Sequence, residues 1–164
     1  MFPKFADVIV AISDLKERGL IQNYAISGAM AQLFWDEAIP TFDIDVLVSL
    51  GSVENALAPL AQIYDWAAER GYRSEAEHIV ISDIPVQFLP APDSLSTEAV
   101  EHAKVIDYNG LLVRVVGPEY LIALWLQPPA NTYRRKERVA KLRESLDLDA
   151  ALLADLRERY NLSW

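Results

Sequence analysis

Asp43 and Asp45 stand two residues apart at the start of an apolar run, Ile44-Asp45-Val46-Leu47-Val48. Such a run reads as a strand, predicted here from Asp43 to Leu50. Side chains alternate along a strand, so the two carboxylates share one face and Phe42, Ile44 and Val46 point to the other. Two carboxylates converging from one strand can hold a hard divalent cation such as Mg2+ from one side. Upstream, Tyr24-Ala25-Ile26-Ser27 reads as a second strand that ends in Gly28-Ala29. There the backbone can turn tightly or come close to a ligand. A short helix follows with Met30, Leu33 and Phe34 as its buried face, and Pro40 ends it because the residue before proline disfavours helical geometry.

The rest of the chain must position this stretch. Its 164 residues suffice for one domain with a real core, and a half-apolar composition is that of a globular protein. We expect a single domain over residues 1–164, with a core over 1–127 and a helical tail over 128–164. A formal charge of -9 repels a phosphate backbone and argues against a general nucleic-acid binder. The basic residues cluster locally, at Arg134, Arg135, Lys136, Arg138, Lys141 and Arg143. With no cysteine, disulfides and thiolate metal sites are excluded. No apolar run approaches the roughly 20 residues of a membrane span, and no signal-peptide pattern opens the sequence, so the expected location is cytoplasmic. No phosphate-loop motif and no nucleophile-elbow motif occurs. His78 and His102 are read as surface or packing residues, since no second histidine or cysteine stands at metal spacing from either.

In chain order, Phe5, Val8, Ile9, Ile12 and Leu15 have helical spacing over Phe2 to Arg18, with Gly19 as a stop. Ser52 caps a predicted helix to about Arg70 whose apolar set is Leu57, Leu60, Ala61, Tyr64 and Ala68. His78 to Ser82 and Val86 to Leu89 read as a hairpin around Asp83-Ile84-Pro85. Thr97 to Lys104 is a predicted helix. Val105 to Tyr108 and Leu111 to Val116 flank Asn109-Gly110, a strong hairpin dipeptide. Pro118 opens a helix, Tyr120 to Gln127, that is apolar nearly all round and therefore buried. After Pro128-Pro129, helices are expected over Arg134 to Leu146 and Asp149 to Tyr160.

A small-residue turn, a short helix and then Thr41-x-Asp43-Ile44-Asp45 at the head of an apolar strand resembles the nucleotidyltransferase superfamily. The nearest likeness is to the small bacterial group that includes the AbiEii-type toxins. Tyr24 to Val48 holds the specific match; Pro85 to Leu89, Val116 to Leu124 and the last two helices extend it more weakly. The resemblance implies an α/β (α+β) fold, with a nucleotidyltransferase-like mixed β-sheet flanked by helices and a C-terminal helical segment. It implies an enzyme that binds a nucleoside triphosphate with Mg2+ (or Mn2+) and transfers its nucleoside monophosphate to a protein or RNA acceptor. In that scheme Asp43 and Asp45 hold the metal, and Ser27, Gly28, Ala29 and Thr41 meet the nucleotide. The basic stretch Arg134 to Arg143 reads either as the solvated face of a helix or as a patch for triphosphate or acceptor, with Arg134 and Arg135 as its nucleotide-binding residues.

The sequence also departs from the family pattern. Ala29 follows Gly28 where a second glycine or a serine is usual, and Ile39 stands where a basic residue is common. Gln87 occupies the place of a third catalytic carboxylate, and an amide cannot act as a base at neutral pH. Trp125 replaces a lysine, and Arg134-Arg135 replace a Lys-Asp pair. The alternative reading is therefore a catalytically degenerate module that binds nucleotide, or binds an antitoxin-like partner protein in a toxin–antitoxin type system.

Overall fold

The structure, a computed structural model, describes residues 4–36, 41–51 and 58–163. The expectations for Phe2, Ile39, Pro40, the Ser52 cap, Leu57 and Trp164 lie outside the described residues. Helix α1 (Phe5–Glu17) buries the five apolar residues that its spacing predicts. Strand β1 (Asn23–Ser27) leads directly into α2 (Gly28–Trp35), and β2 (Ile44–Ser49) follows. Next come α3 (Ala61–Glu69), β3 (Ser74–Glu75), β4 (His78–Ile81), β5 (Ile84–Pro90) and α4 (Ser94–Glu101). The chain continues through β6 (Lys104–Tyr108), β7 (Leu111–Val115), α5 (Pro118–Leu126), α6 (Tyr133–Ser145) and α7 (Ala150–Arg159).

Among the described residues the strands form one mixed sheet in the order β3-β4-β5-β2-β1-β7-β6. β2 runs antiparallel to β1 and parallel to β5, and β1 runs parallel to β7. Val46, Leu47 and Val48 are buried, as an apolar run in a central strand requires. The fold is thus α/β of the mixed-sheet kind, with helices packed on it. Helix α5 is buried along Glu119–Ala123 and at Trp125 and Leu126, and α6 and α7 both pack on it. Among the described residues no helix is long and apolar enough to cross a membrane.

Several local expectations are corrected. The buried face of α3 is Ile63, Trp66 and Ala67, whereas Ala61 and Ala68 are exposed and Leu60 and Tyr64 half-buried. Trp66 decides the face, because its Nε1 donates to Asp14 Oδ2 on α1 at 2.8 Å. In α2 the buried residues are Met30, Ala31 and Gln32, with Leu33 and Phe34 half-buried. The β4–β5 turn is Ser82-Asp83, at φ 50° and 66°, with Ile81 paired to Ile84. A two-residue hairpin turn of this kind needs positive φ at both positions. Pro85 consequently lies in β5, one residue before pairing with β2 begins at Val86, so its missing N–H costs no bond to β2. Helix α4 starts at Ser94 and ends before Lys104, which belongs to β6. Asp93 sets the start by accepting from Ser96 N at 2.9 Å.

Glu98 joins three helices. Its carboxylate accepts from the Tyr120 hydroxyl of α5 at 2.9 Å and from the Tyr160 hydroxyl after α7 at 2.8 Å. Arg159 of α7 grips both oxygens, at 2.5 and 2.9 Å. Arg159 above all, then the two hydroxyls, hold this carboxyl down from its usual 4.5 to about 2. A depressed folded-state value gives stability that is complete above the unfolded value and is lost as pH falls towards the folded one. We expect Glu98→Gln to lower unfolding free energy by about 1–3 kcal/mol at pH 7. The deficit should shrink between roughly pH 5 and pH 3 in denaturant melts. A deficit that is flat over that range would show that the charge is not what ties α4 to α7.

Candidate active site

The register of the central strands assembles the site. Ser27 pairs with Asp45 across β1 and β2, and Asp45 pairs with Gln87 across β2 and β5. Immediately after Ser27 the chain turns into α2 through Gly28, at φ +61°. A Cβ on Gly28 would overlap Asp45 Oδ2, so the backbone lies directly against the carboxylate. Both the positive φ and this contact require glycine.

Asp45 is half-buried, and its carboxyl is pushed up from the usual value, first by burial and then by the charge of Asp43. His78 and Arg135 oppose that shift. Asp43 lies just ahead of β2 instead of within it, and Thr41 anchors it: the Thr41 hydroxyl is 3.1 Å from both the carbonyl oxygen and Oδ1 of Asp43. Leaving the strand frees Phe42 from alternation. The sequence placed Phe42 opposite the carboxylates; the structure leaves its side chain exposed in the same cleft.

That cleft encloses about 550 Å³, within the usual range for small-molecule sites. Gly28, Ala29, Thr41, Asp43 and Asp45 line it, as do Arg134 and Arg135 from α6. Two expected residues do not: Ser27 is buried beneath the turn, and Gln87 sits half-buried beside Asp45 without lining the cleft. Sequence reasoning missed Phe42, Glu75, His78, Pro85 and Trp125 as cleft residues. Arg138, within the predicted basic patch, stands one helical turn after Arg134 and lines the cleft with it. His78 had no readable signal, because β4 brings it in from a distant part of the chain. Its Nε2 lies 3.4 Å from Asp43 Oδ2, an ion-pair distance if the ring is protonated. The same atom is buried and forms no hydrogen bond.

The basic side of the cleft is unusual in its partners. None of Arg134, Arg135 and Arg138 forms a salt bridge with a described carboxylate. Arg135 donates to the Ala130 carbonyl at 3.2 Å, and Arg138 lies over the Trp125 ring at 5.7 Å. Arg138 Nε is buried without a hydrogen-bond partner among the described residues, and burial followed by the charges of Arg134 and Arg135 depresses its guanidinium. Uncompensated positive charge and crowded negative charge thus face one cavity.

No protein-family model matches the chain, and no curated protein does. Solved structures do match. A proposed nucleotidyltransferase from Thermotoga maritima aligns over 88% of this chain and 93% of its own, with TM-score 0.54 and 17% identity. An antigenic nucleotidyltransferase-like protein from Paracoccidioides brasiliensis aligns over 94% and 87%, with TM-score 0.51 and 13% identity. The antibiotic-resistance factor ANT(2'')-Ia aligns over 98% and 93%, with TM-score 0.50 and 18% identity. At such identities the likeness is one of fold: this chain has the nucleotidyltransferase fold.

The raised carboxyl of Asp45 has a stability consequence. A folded-state value above the unfolded one means that the folded protein holds the proton longer, so stability falls as pH rises past about 4. At neutral pH without divalent cations, Asp45→Asn should therefore melt above wild type. The gap should close below about pH 4, where Asp45 is protonated in both states. Thermal melts in chelator at pH 7 and pH 3.5 check this; equal melting at pH 7 would refute the crowding of the two carboxylates.

Proposed function

We propose that this protein binds a nucleoside triphosphate with Mg2+ in the cleft beneath α2 and transfers the nucleoside monophosphate to an acceptor hydroxyl. One observation carries the reading: two crowded carboxylates and three arginines without a carboxylate partner among the described residues line the same cavity. A metal–triphosphate has both complements, a divalent cation for Asp43 and Asp45 and an oxyanion chain for Arg134, Arg135 and Arg138. The nucleotidyltransferase fold supports it.

The residues fit a divalent cation. Among the described residues no three histidine, cysteine, aspartate or glutamate side chains form a metal-binding group. The protein would therefore supply the two aspartates, and triphosphate oxygens and water the remaining ligands, in the manner of Mg2+. The bound ion would neutralise charge on the triphosphate. Gly28 and Ala29 present the first backbone of α2 to the cleft, the arginines orient the phosphates, and Thr41 keeps Asp43 in place. The acceptor oxygen then bonds to the α-phosphorus, its proton passes to solvent, and the bond to the departing pyrophosphate breaks.

A second reading is favoured by Gln87. The residue next to Asp45 in the ladder is a neutral amide, so the site has no third carboxylate from β5. On this reading the protein holds the nucleotide without efficient transfer. The narrower likeness to AbiEii-type toxins, and with it an antitoxin-like partner or an RNA or protein acceptor, rests on the residue pattern alone.

Calorimetry with and without Mg2+ tests the binding. We expect Asp43→Asn combined with Asp45→Asn to abolish the Mg2+-dependent part of triphosphate affinity while the protein stays folded. Arg138→Ala should weaken triphosphate affinity by roughly 10- to 150-fold, about the worth of a charge-assisted hydrogen bond. Unchanged affinity in the aspartate double variant would refute the assignment. Transfer of labelled nucleotide by wild type, compared with Gln87→Asp, separates the two readings. Gain of transfer only in the variant would show a degenerate site, and robust wild-type transfer a working one.

A further inference from the structure

The triphosphate reading leaves the nucleoside end without a place, and the inference here rests on that reading. A base needs a flat apolar face to stack on. Among the described residues, two benzenoid rings line the cleft, Phe42 and Trp125. Trp125 is only 5% exposed and already lies under the Arg138 guanidinium, so its face is taken. Phe42 is 81% exposed, an unfavourable setting for a large apolar side chain that folding itself does not require. It directly precedes Asp43, and the Thr41–Asp43 hydrogen bonds hold the backbone on both sides of it.

We infer that Phe42 is the stacking platform for the nucleobase of the bound triphosphate. The geometry is suited to this. The triphosphate is drawn to the carboxylates by its cation and to α6 by its oxygens, and Phe42 stands one residue from the first carboxylate. Stacking reads ring area and not hydrogen-bond pattern, because every base has a π-face. The site therefore accepts more than one base and ranks purine above pyrimidine triphosphates.

The test compares ATP, CTP and inorganic tripolyphosphate, each with Mg2+, by calorimetry on wild type, Phe42→Ala and Phe42→Trp. Wild type is expected to bind ATP more tightly than CTP, and CTP more tightly than tripolyphosphate. Phe42→Ala should lose about tenfold or more in ATP affinity, the scale of one aromatic stack, with tripolyphosphate unchanged. Phe42→Trp should keep ATP affinity. Because the side chain is exposed, the alanine variant should melt with wild type, which separates lost stacking from lost fold. Wild type binding ATP and tripolyphosphate equally, or Phe42→Ala leaving ATP affinity intact, overturns the inference and leaves the triphosphate reading standing. A parallel loss of tripolyphosphate affinity in Phe42→Ala also overturns it, since the change would then act through Asp43. Wild type binding none of the three overturns both.

Discussion

The contact between the Gly28 backbone and the Asp45 carboxylate is the constraint on which the site depends. It follows from the antiparallel pairing of β1 with β2, which sets Ser27 opposite Asp45 and so brings the next residue over the carboxylate. A side chain at position 28 would meet Asp45 Oδ2, and the turn into α2 needs positive φ there. Glycine satisfies both demands, and α2 therefore begins directly above the carboxylate. One residue choice thereby brings the partly positive N-terminus of a helix up to an acidic group, an end of the helix that favours negative charge.

Charge organises the rest. The chain is acidic, at -9, yet three of its arginines turn into one cavity without a described carboxylate to neutralise them. The burial of Arg138 and its repulsion by Arg134 and Arg135 are costs in the free protein, as is the crowding of Asp43 on Asp45. Structural ion pairs elsewhere show the contrast: Glu98 with Arg159, and Asp14 with Arg18 and Arg70, are matched in sign and close-packed. In the cleft the three arginines form no such pairs, and only the pulls of His78 and Arg135 on Asp45 and the approach of His78 to Asp43 offset the carboxylates among the described residues. A site that leaves its charges unmatched is arranged for a ligand with charges of its own.

Much of the fold was legible because it followed periodicity and punctuation. The apolar spacing of α1, the Asn109-Gly110 turn, Pro118 at the start of α5 and the buried run of β2 are local signals with local physics. What was missed depended on long-range partners. The face of α3 was set by Trp66 reaching Asp14, 52 residues away, and not by the alanines that shared its helical stripe. Phe42 was misread because alternation applies within a strand, and β2 begins only at Ile44. In the site, Gly28, Thr41 and the two aspartates lie close in sequence and could be read together. His78 and Arg138 reach the cleft only through the order of strands β4-β5-β2 and the packing of α6 on α5.

Gln87 gains a physical sense from the same geometry. It pairs with Asp45 in a parallel ladder, where neighbouring strands lie about 5 Å apart. A carboxylate there would add a second like charge beside a group already raised by burial and by Asp43. The free protein would then carry a larger repulsion that only a cation could relieve, making stability and metal occupancy strongly interdependent. With an amide at 87 the repulsion is confined to one pair, which Arg135 and His78 moderate. An amide at 87 thereby lowers the electrostatic cost of a cavity that, on the proposed reading, receives a cation and an oxyanion. The corresponding loss is of negative charge for holding the ion. On the proposed reading, an amide at 87 would weaken metal retention before it affected recognition of the triphosphate by the arginines of α6.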